Sequence, residues 1–302
     1  MGGVLESPHP YKLFLQPLAA RGHLKRNNFQ KVSFDMAIQF TKMSGSGNDF
    51  IIIDNRVPVM DDDKKRDFVR RVCDRKMSIG ADGVIFVENS DKADIKWDFY
   101  NEDGSSAEMC GNGGRCVARY AVEKKIAPAK LTLETIAGII GAEVSDGNIR
   151  VRLTQPENLQ QDIPVALNGT QYQVDSLNTG VPHAIVYSDN IEDVNVKEAG
   201  HGIRFHEAFA PAGTNVDFVE KVGDRALKIR TYERGVEDET LACGTGVVAS
   251  ALLSYYKKMV QPPVEVETRG GDILKVDFET DNGDVYLEGP ARIAFEGTLV
   301  EY

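Results

Sequence analysis

Cys110-Gly111-Asn112-Gly113 recurs 133 positions later in the chain as Cys243-Gly244-Thr245-Gly246. The same spacing joins Gly47 to Gly180, each of which precedes a turn and an apolar run. Several matches at one spacing indicate an internal duplication, so the sequence predicts two copies of one folded unit. Two further pairs of strand-like stretches are related in the same way, the second with a small gap: 131–135 with 264–268, and 95–100 with 227–232.

The duplication predicts two domains and an appendage. We expect the first repeat to span residues 36–155 and the second to span 156–290. Residues 1–35 differ from both, because they hold five Lys or Arg residues, two acidic residues and three prolines. We therefore expect 1–35 to be an N-terminal extension that is not part of the fold.

Each repeat combines hairpins with a helix. Most segments alternate between apolar and polar residues, and the turn at Asp146-Gly147-Asn148 is typical of an antiparallel hairpin. A helix is predicted directly after each Cys-Gly-x-Gly, with Asn112 and Thr245 as N-caps. The second helix, about 245–258, is apolar nearly all round, so its own strands should enclose it. A further amphipathic helix is predicted over 61–76.

Composition limits the possible function classes. The chain has 302 residues, and 46 acidic against 35 basic residues give a net charge of −11, which disfavours nucleic acid or an anionic membrane as a partner. No apolar run approaches the ~18 residues of a spanning helix, so we expect a soluble protein. The four cysteines, too sparse for a disulfide scaffold, suggest a reducing, cytosol-like compartment: Cys73, Cys110, Cys116 and Cys243.

The chemistry follows from where Cys110 and Cys243 stand. A thiol just before a helix N-terminus lies near unpaired N–H groups, so we expect it to ionise more easily than a free thiol. If the repeats face each other across a pseudo-two-fold axis, both thiols flank one cleft. One base that takes a hydrogen and a second that supplies one from behind are what a racemase or epimerase requires. The amides of Gly111-Asn112 and Gly244-Thr245 could hold the charge that develops on a neighbouring carboxylate.

A series of motifs in the chain resembles those of a known enzyme family. In order along the chain, they are Phe40-x-Lys42-Met43-x-Gly45-x-Gly47-Asn48-Asp49-Phe50, Asn101-x-Asp103-Gly104-Ser105, Cys110-Gly111-Asn112-Gly113-x-Arg115-Cys116, Pro182-His183, Thr214-Asn215-Val216, Glu233-Arg234-Gly235 and Ala242-Cys243-Gly244-Thr245-Gly246. From about residue 36 to 302 the chain resembles the diaminopimelate epimerase family.

The resemblance implies a fold and an activity. The fold is α/β, with two pseudo-symmetric domains of mainly antiparallel strands, each curled around a central helix, and strands near 290–302 could return to the first domain. The activity is that of an isomerase that interconverts LL- and meso-2,6-diaminopimelate for lysine and peptidoglycan precursors. It implies no cofactor, no metal, a small-molecule substrate, a homodimer and a cytoplasmic location, or a plastid location if residues 1–35 are a transit peptide.

The resemblance also assigns site residues. Cys110 and Cys243 are the catalytic bases, and His183 borders the reacting centre. The residues expected to hold the reacting carboxylate are Gly111, Asn112, Gly244 and Thr245. Those expected to recognise the distal end are Asn48, Asn101, Asn215, Glu233 and Arg234. Arg234 also fits on chemical grounds, since a guanidinium can grip a carboxylate with two parallel hydrogen bonds.

The chain departs from the family's pattern at three places, and two alternative functions remain open. Gly83 stands where many members of the family have glutamine, Val181 where many have asparagine, and the run between Arg234 and Cys243 is one residue longer. One alternative is a proline-racemase-like enzyme, which uses two thiols on a substrate without a distal amino-acid group. The other is a metal-binding or structural protein whose ligands would be Cys110, Cys116, Cys243 and His183.

Overall fold

The computed structural model describes residues 37–279 and 283–300, and everything stated below concerns these residues. The expected extension, 1–35, lies outside them. The elements of the first part of the chain are β1 (Ile38–Gly45), β2 (Asn48–Asp54), α1 (Asp62–Cys73), β3 (Gly83–Glu88), β4 (Ile95–Asn101), α2 (Gly111–Glu123), β5 (Lys130–Thr135), β6 (Gly138–Ser145) and β7 (Asn148–Arg152).

The second part repeats this order with three additional strands: one at its start, one before its central helix and one at its end. Its elements are β8 (Glu157–Leu167), β9 (Thr170–Asn178), β10 (Pro182–Tyr187), α3 (Val196–Arg204), β11 (Asn215–Gly223), β12 (Ala226–Glu233), β13 (Asp238–Thr240), α4 (Gly244–Tyr256), β14 (Val264–Glu267), β15 (Ile273–Phe278), β16 (Val285–Pro290) and β17 (Arg292–Leu299), with single-turn 3-10 helices at Ile191–Asp193 and Glu207–Phe209.

The two parts share one strand topology, which confirms the predicted repeat. In the first, β2 pairs with β3 in parallel, β3 with β4 antiparallel, and β4 with β5 in parallel. In the second, β10, β11, β12 and β14 pair in the same sequence of directions. The α/β class with two similar units is therefore as expected.

The central helices of both repeats share one hydrophobic core. Cys116, Val117 and Ala121 of α2 belong to the same buried cluster as Val248 and Leu252 of α4. The strands around them are covered on their other face by α1 in the first repeat and by α3 in the second. Burial on both faces explains why β2 and β10 are continuous apolar runs rather than alternating ones.

Two strands tie the repeats together. β16 pairs with β15 of its own repeat and with β7 of the first, where Leu287 is opposite Val151. The last strand, β17, pairs antiparallel with β1, so that Gly297 is opposite Phe40. The sheet is thus continuous from one repeat to the other.

The helix starts differ from the expectation. Cys110 and Cys243 themselves are the N-caps, with extended φ/ψ of −145°/118° and −118°/109°, and each helix begins at the following glycine. Asn112 and Thr245 lie inside the first turn, so their prediction as caps is wrong. The Cys110 sulfur accepts the Gly113 N–H at 3.5 Å, as a hydroxyl or carboxylate oxygen would in a common cap.

The helix ends and the predicted hairpin turn follow the sequence signals. Lys125 (φ 57°) and Lys258 (φ 60°) follow α2 and α4 in the left-handed conformation that often ends helices. Asp146 (φ 47°) and Gly147 (φ 85°) connect β6 to β7 in the two-residue turn that suits the twist of a hairpin. As predicted, α4 is buried along most of its length.

Candidate active site

The N-termini of α2 and α4 meet at one side chain. A methyl group built on Gly111 would lie 3.2 Å from Leu287 Cδ2, and one built on Gly244 would lie 3.2 Å from the same atom. The methyl group on Gly244 would also lie 3.2 Å from Asn112 Oδ1. Each of the two Cys-Gly steps therefore borders the same small region, and neither glycine could gain a side chain without displacing a neighbour.

The first half of this region is built around Cys110 and Asn48. The Asn48 Oδ1 atom lies 3.9 Å from Cys110 Sγ and accepts a hydrogen bond from Asn112 Nδ2 at 3.2 Å. Asn48 Nδ2 donates to Asp82 Oδ2 at 2.6 Å, which fixes the orientation of the amide. Asp82 in turn pairs with Arg75 at 2.6 Å. The turn between β1 and β2 is thereby held against the start of α2.

The second half contains a chain of buried hydrogen bonds that ends at Cys243. Thr231 Oγ1 donates to Asp217 Oδ1 at 2.7 Å, and Asp217 Oδ2 lies 2.7 Å from His183 Nδ1. On the other side of the ring, His183 Nε2 lies 2.9 Å from Thr245 Oγ1. Thr245 Oγ1 lies 3.4 Å from Cys243 Sγ. The histidine is therefore part of this second half-site and reaches its thiol through one hydroxyl.

Glu233, the last residue of β12, is near enough to both halves for its charge to act on each thiol. Burial raises the pKa of this carboxyl. Its negative charge in turn contributes to a raised pKa at both Cys110 and Cys243. One carboxyl group therefore interacts electrostatically with both thiols.

We expected Cys110 and Cys243 to ionise more easily than a free thiol, but the structure indicates the opposite. Burial raises the pKa of Cys110, although the Gly113 N–H opposes this change. Burial also raises the pKa of Cys243 well above its usual range, and the charges of Glu233 and Asp217 add to the effect. The expectation was wrong because removing a thiolate from water costs more than a few backbone dipoles return.

The residues expected at the distal end lie in two places. Asn215 is buried, donates to the Pro182 carbonyl at 2.9 Å and accepts the Arg234 N–H at 2.8 Å, so it joins β10 to the end of β12. The Arg234 guanidinium is partly exposed and reaches the Ala212 carbonyl at 3.5 Å. Asn101 is exposed at the end of β4 and bonds to Ser105, and no hydrogen bond joins it to another candidate residue within the described ranges.

The remaining cysteines are buried in apolar surroundings. Burial raises the pKa of Cys73 and of Cys116 to about 12, as expected of thiols that act as small hydrophobic side chains. The set Cys110, Cys116, Cys243 and His183 does not form a metal-ligand cluster in the part of the chain that the structure describes.

One group of carboxylates does have ligand-like spacing, and a lysine occupies its centre. Lys65 Nζ lies 2.8 Å from Asp62, 2.7 Å from Glu88 and 2.8 Å from Asp98. The lysine neutralises part of their charge, so these three acids are an ion-pair network rather than a metal centre. They lie around α1, β3 and β4, and no hydrogen bond joins them to the thiols within residues 37–279 and 283–300.

The three departures have distinct structural settings. A Cβ at Gly83 would lie 2.6 Å from the Tyr100 carbonyl oxygen and 2.7 Å from Phe99 Cε2, so no side chain fits there. Val181 is partly buried beside the Cys243 half-site, where its carbonyl accepts the Thr179 N–H at 3.2 Å. The longer run after Arg234 forms a turn with Glu237 at φ 58°, which leads into the short strand β13.

Asp217 and Asp82 were missed by the sequence reasoning. Asp217 follows Asn215 by two positions on β11, so alternation along the strand would have put both side chains on one face. The parallel pairing of β10 with β11 then brings that face beside His183. Asp82 gave no comparable signal, because its role depends on the fold of the turn that carries Asn48.

The family comparison covers both repeats. The family model described as diaminopimelate epimerase matches residues 40–158 and 176–294. Diaminopimelate epimerase of Aquifex aeolicus is 46% identical over 275 residues, which cover 87% of this chain and 98% of that protein. Diaminopimelate epimerase of Archaeoglobus fulgidus is 42% identical over 277 residues, which cover 87% and 97%. None of the described helices is both long and apolar enough to cross a membrane.

Solved structures share the fold at low sequence identity. A phenazine biosynthesis protein of the PhzF family from Bacillus anthracis has a TM-score of 0.68 and 16% identity, and the match covers 87% of this chain and 99% of that one. A probable proline racemase from Agrobacterium radiobacter has a TM-score of 0.66 and 16% identity, with 87% and 92% covered.

Proposed function

This chain belongs to the diaminopimelate epimerase family, and from that membership we propose that it interconverts LL- and meso-2,6-diaminopimelate without a cofactor. Enzymes of this name are isomerases. We further propose that Cys110 and Cys243 are the two bases. The observation that carries this proposal is that a Cβ built on Gly111 or on Gly244 would lie 3.2 Å from the same Leu287 methyl group, since this brings the two helix starts to a common region.

The reaction needs both sulfur atoms in different protonation states. A thiolate on one side takes the α-hydrogen as a proton, so that an S–H bond forms as the C–H bond breaks. The electron pair moves towards the adjacent carboxylate. The thiol on the opposite face then gives its proton to the same carbon, and its electrons remain on sulfur. The product has inverted configuration, and the two sulfurs have exchanged protonation states.

The carboxylate that receives the electron pair approaches a dianion and needs hydrogen-bond donors. We assign this role to the amides of Gly111, Asn112, Gly244 and Thr245. A helix dipole contributes about 0.3–1 kcal/mol, whereas a well-placed oxyanion donor contributes about 2.7–4 kcal/mol. The amide hydrogen bonds should therefore account for most of the stabilisation.

The distal amino-acid end would be recognised by polar residues in and around this centre. Arg234 is the natural partner for the distal carboxylate, and Glu233 for a distal ammonium group. Asn48, Asn101 and Asn215 supply amide groups that can donate or accept. We assign His183 to the border of the reacting centre, because its ring contacts the hydroxyl beside Cys243.

Solvent hydrogen exchange tests the two-base mechanism. Purified protein in deuterated water should wash deuterium into the α-position of LL- and meso-diaminopimelate without added pyridoxal phosphate. Cys110→Ala and Cys243→Ala should each abolish epimerisation, whereas the buried Cys73→Ala should retain it as the matched control. Full epimerisation by either active-site variant would contradict the assignment.

A distal anchor separates this proposal from a proline-racemase-like activity. Arg234→Ala should abolish turnover of diaminopimelate if the guanidinium grips the distal carboxylate. The exposed Arg269→Ala is a suitable control for the loss of one surface charge. Turnover of proline by the wild type, with no effect of the Arg234 change, would favour the alternative.

The wider setting follows from the family resemblance. We propose that the reaction supplies precursors for lysine and peptidoglycan, that the protein acts in the cytoplasm, and that it forms a homodimer. Sedimentation equilibrium would measure the oligomeric state directly, and a single species of monomer mass at micromolar concentration would contradict the dimer.

A further inference from the structure

Arg115 is a buried cation with no carboxylate in direct contact among the described residues, and the carboxyl group that acts on its charge is that of Asp272. Its side chain is 0% exposed, and within the described residues no Asp or Glu oxygen lies within 4.0 Å of its guanidinium. It donates instead to neutral oxygens: Ser46 Oγ at 3.0 Å, Asn112 Oδ1 at 2.9 Å, and the carbonyls of Gly111 at 3.4 Å and Pro290 at 3.3 Å. Burying an ion in this way is costly unless its charge acts on something nearby.

The charge belongs to one half of the site. The repeat spacing of 133 residues relates Arg115 to Val248 of α4, which is apolar and buried. In the second half the buried groups are Asp217 and His183, joined by a 2.7 Å contact. Whether His183 is neutral or protonated, this pair is negative or neutral and never positive. The acidic groups of the first half, Asp82 and Asp272, are each paired with an arginine on the surface, Arg75 and Arg292. The buried charge that remains is thus positive in the Cys110 half and negative in the Cys243 half.

The local contacts of the two sulfurs differ as well. Cys110 Sγ accepts the Gly113 N–H, which favours a negative sulfur, and Cys243 makes no side-chain cap hydrogen bond. The group that can stabilise a negative Cys243 is the Thr245 hydroxyl at 3.4 Å, which is also in contact with His183 Nε2. Asn48 Oδ1 at 3.9 Å from Cys110 Sγ acts the other way, but it is a neutral dipole at the limit of hydrogen-bond distance. Burial raises the pKa of both thiols, and Cys243 is the more buried of the two. Glu233 raises both values, whereas Arg115 lowers that of Cys110 and Asp217 raises that of Cys243.

We infer that, in the substrate-free protein, Cys110 is the sulfur that ionises first and Cys243 is the one that keeps its proton. Arg115 is the positioning residue that creates this order through its charge, without touching the substrate. The inference rests on the proposed function, which makes these two sulfurs the bases. It follows that free enzyme is ready for the isomer whose α-hydrogen faces Cys110, and that the opposite isomer requires a prior exchange of protons.

Alkylation tests the order without any turnover. The full chain, without substrate, is treated briefly with iodoacetamide over a pH series, and peptide mass spectrometry follows modification of each cysteine. The pH midpoint, rather than the rate, is compared, because the two thiols differ in exposure. We expect the Cys110 midpoint to lie about one pH unit or more below that of Cys243. Equal midpoints, or a lower one for Cys243, would overturn the inference.

Substitutions of Arg115 test whether its charge causes this order of ionisation. Arg115→Met should move the Cys110 midpoint upwards by about one pH unit or more, and Arg115→Lys should keep it near the wild-type value. Arg119→Met removes a charge one helical turn further along α2 and is the matched control, which should leave the midpoint unchanged. If circular dichroism shows that Arg115→Met is unfolded, the inference is judged on the order of the two midpoints in the wild type and in Arg115→Lys.

The two proposals can fail separately. A protein that washes no deuterium into diaminopimelate but shows separate midpoints in the expected order contradicts the proposed function and not the order. A protein that epimerises diaminopimelate but has Cys243 as the first thiol to ionise contradicts only the inference about Arg115.

Discussion

His183 Nδ1 and Asp217 Oδ2 lie 2.7 Å apart, and both side chains are completely buried. The contact orients the imidazole so that Nε2 meets Thr245 Oγ1 at 2.9 Å. Because Thr245 is the hydroxyl nearest Cys243, the carboxylate at Asp217 influences a sulfur that it does not touch.

Asp217→Asn should therefore lower epimerase activity while keeping the shape of the side chain. The change removes a hydrogen bond to a charged group, which contributes about 1.5 kcal/mol. If that free energy no longer holds the imidazole in place in the transition state, the rate should fall roughly tenfold. Steady-state kcat with LL-diaminopimelate measures it. Thr231→Val, which removes the outer hydroxyl of the same chain, should have a smaller effect. Equal rates for Asp217→Asn and the wild type would show that the contact is dispensable.

Oxidation should inactivate the protein reversibly. If Cys110 and Cys243 flank one carbon atom, their sulfurs can form a disulfide when the site is empty and they close over the space that the substrate would occupy. We expect aerobic or diamide-treated protein to lose activity and to recover it with dithiothreitol, while mass spectrometry identifies the crosslinked peptides. Undiminished activity in a sample in which the disulfide has formed would contradict the shared site.

The rate should depend on pH as a bell. Burial raises the pKa of both thiols, so a thiolate is scarce at acidic pH and activity should rise as pH enters the alkaline range. It should fall again when the second thiol loses the proton that it must supply. The two limbs describe the coupled pair rather than either cysteine alone. A flat kcat/KM profile between about pH 6 and 10 would argue against two coupled thiols.

Gly83→Ala should destabilise the fold. The added Cβ would lie 2.6 Å from the Tyr100 carbonyl oxygen, and such overpacking costs about 1–3 kcal/mol. Urea unfolding measures the change. Gly141→Ala is the matched control, because a Cβ there meets no heavy atom within 4 Å. An unchanged unfolding midpoint for Gly83→Ala would show that Phe99 and its strand can move aside.

Acid should weaken the ion-pair network around Lys65. Burial would raise the pKa of Glu88, but hydrogen bonds from Lys65, Lys96 and Asn55 prevail and lower it to about 2. A carboxyl with a depressed folded pKa stabilises the protein above its unfolded value of about 4.3, and this contribution disappears as pH falls towards 2. For Glu88 the loss is up to ~3 kcal/mol.

Urea unfolding at about pH 6 and about pH 3 should show this loss in the wild type. Lys65→Met should reduce the difference between the two pH values, because Glu88 then has less to lose on protonation. The exposed Lys64→Met is the control on the same helix. If Lys65→Met lost as much unfolding free energy in acid as the wild type does, the acid sensitivity would not come from the Lys65 network.

The repeat could be predicted because its signals are local. Glycine and cysteine recur at one spacing wherever the backbone needs a turn or a helix start, and α4 is apolar enough to require burial. The pairing of β16 with β7 gave no such signal, since both strands alternate like any other hairpin strand.

The placement of the two candidate thiols was easier to predict from the sequence than their electrostatics. The positions of Cys110 and Cys243 before two helices could be read from the sequence. Their raised pKa could not, because desolvation depends on packing from strands far away in the chain. His183 and Asp217 lie 34 positions apart and meet only because two strands run in parallel.

Two strand pairings limit where the chain could be divided into fragments: that of β17 with β1 and that of β16 with β7. A fragment that ended at residue 155 would have two unpaired strand edges, one along β1 and one along β7. Exposed edges of this kind recruit other strands, so such a fragment should self-associate unless the complementary piece is made alongside it. One half of the duplication, despite its own central helix, would not be a self-sufficient protein.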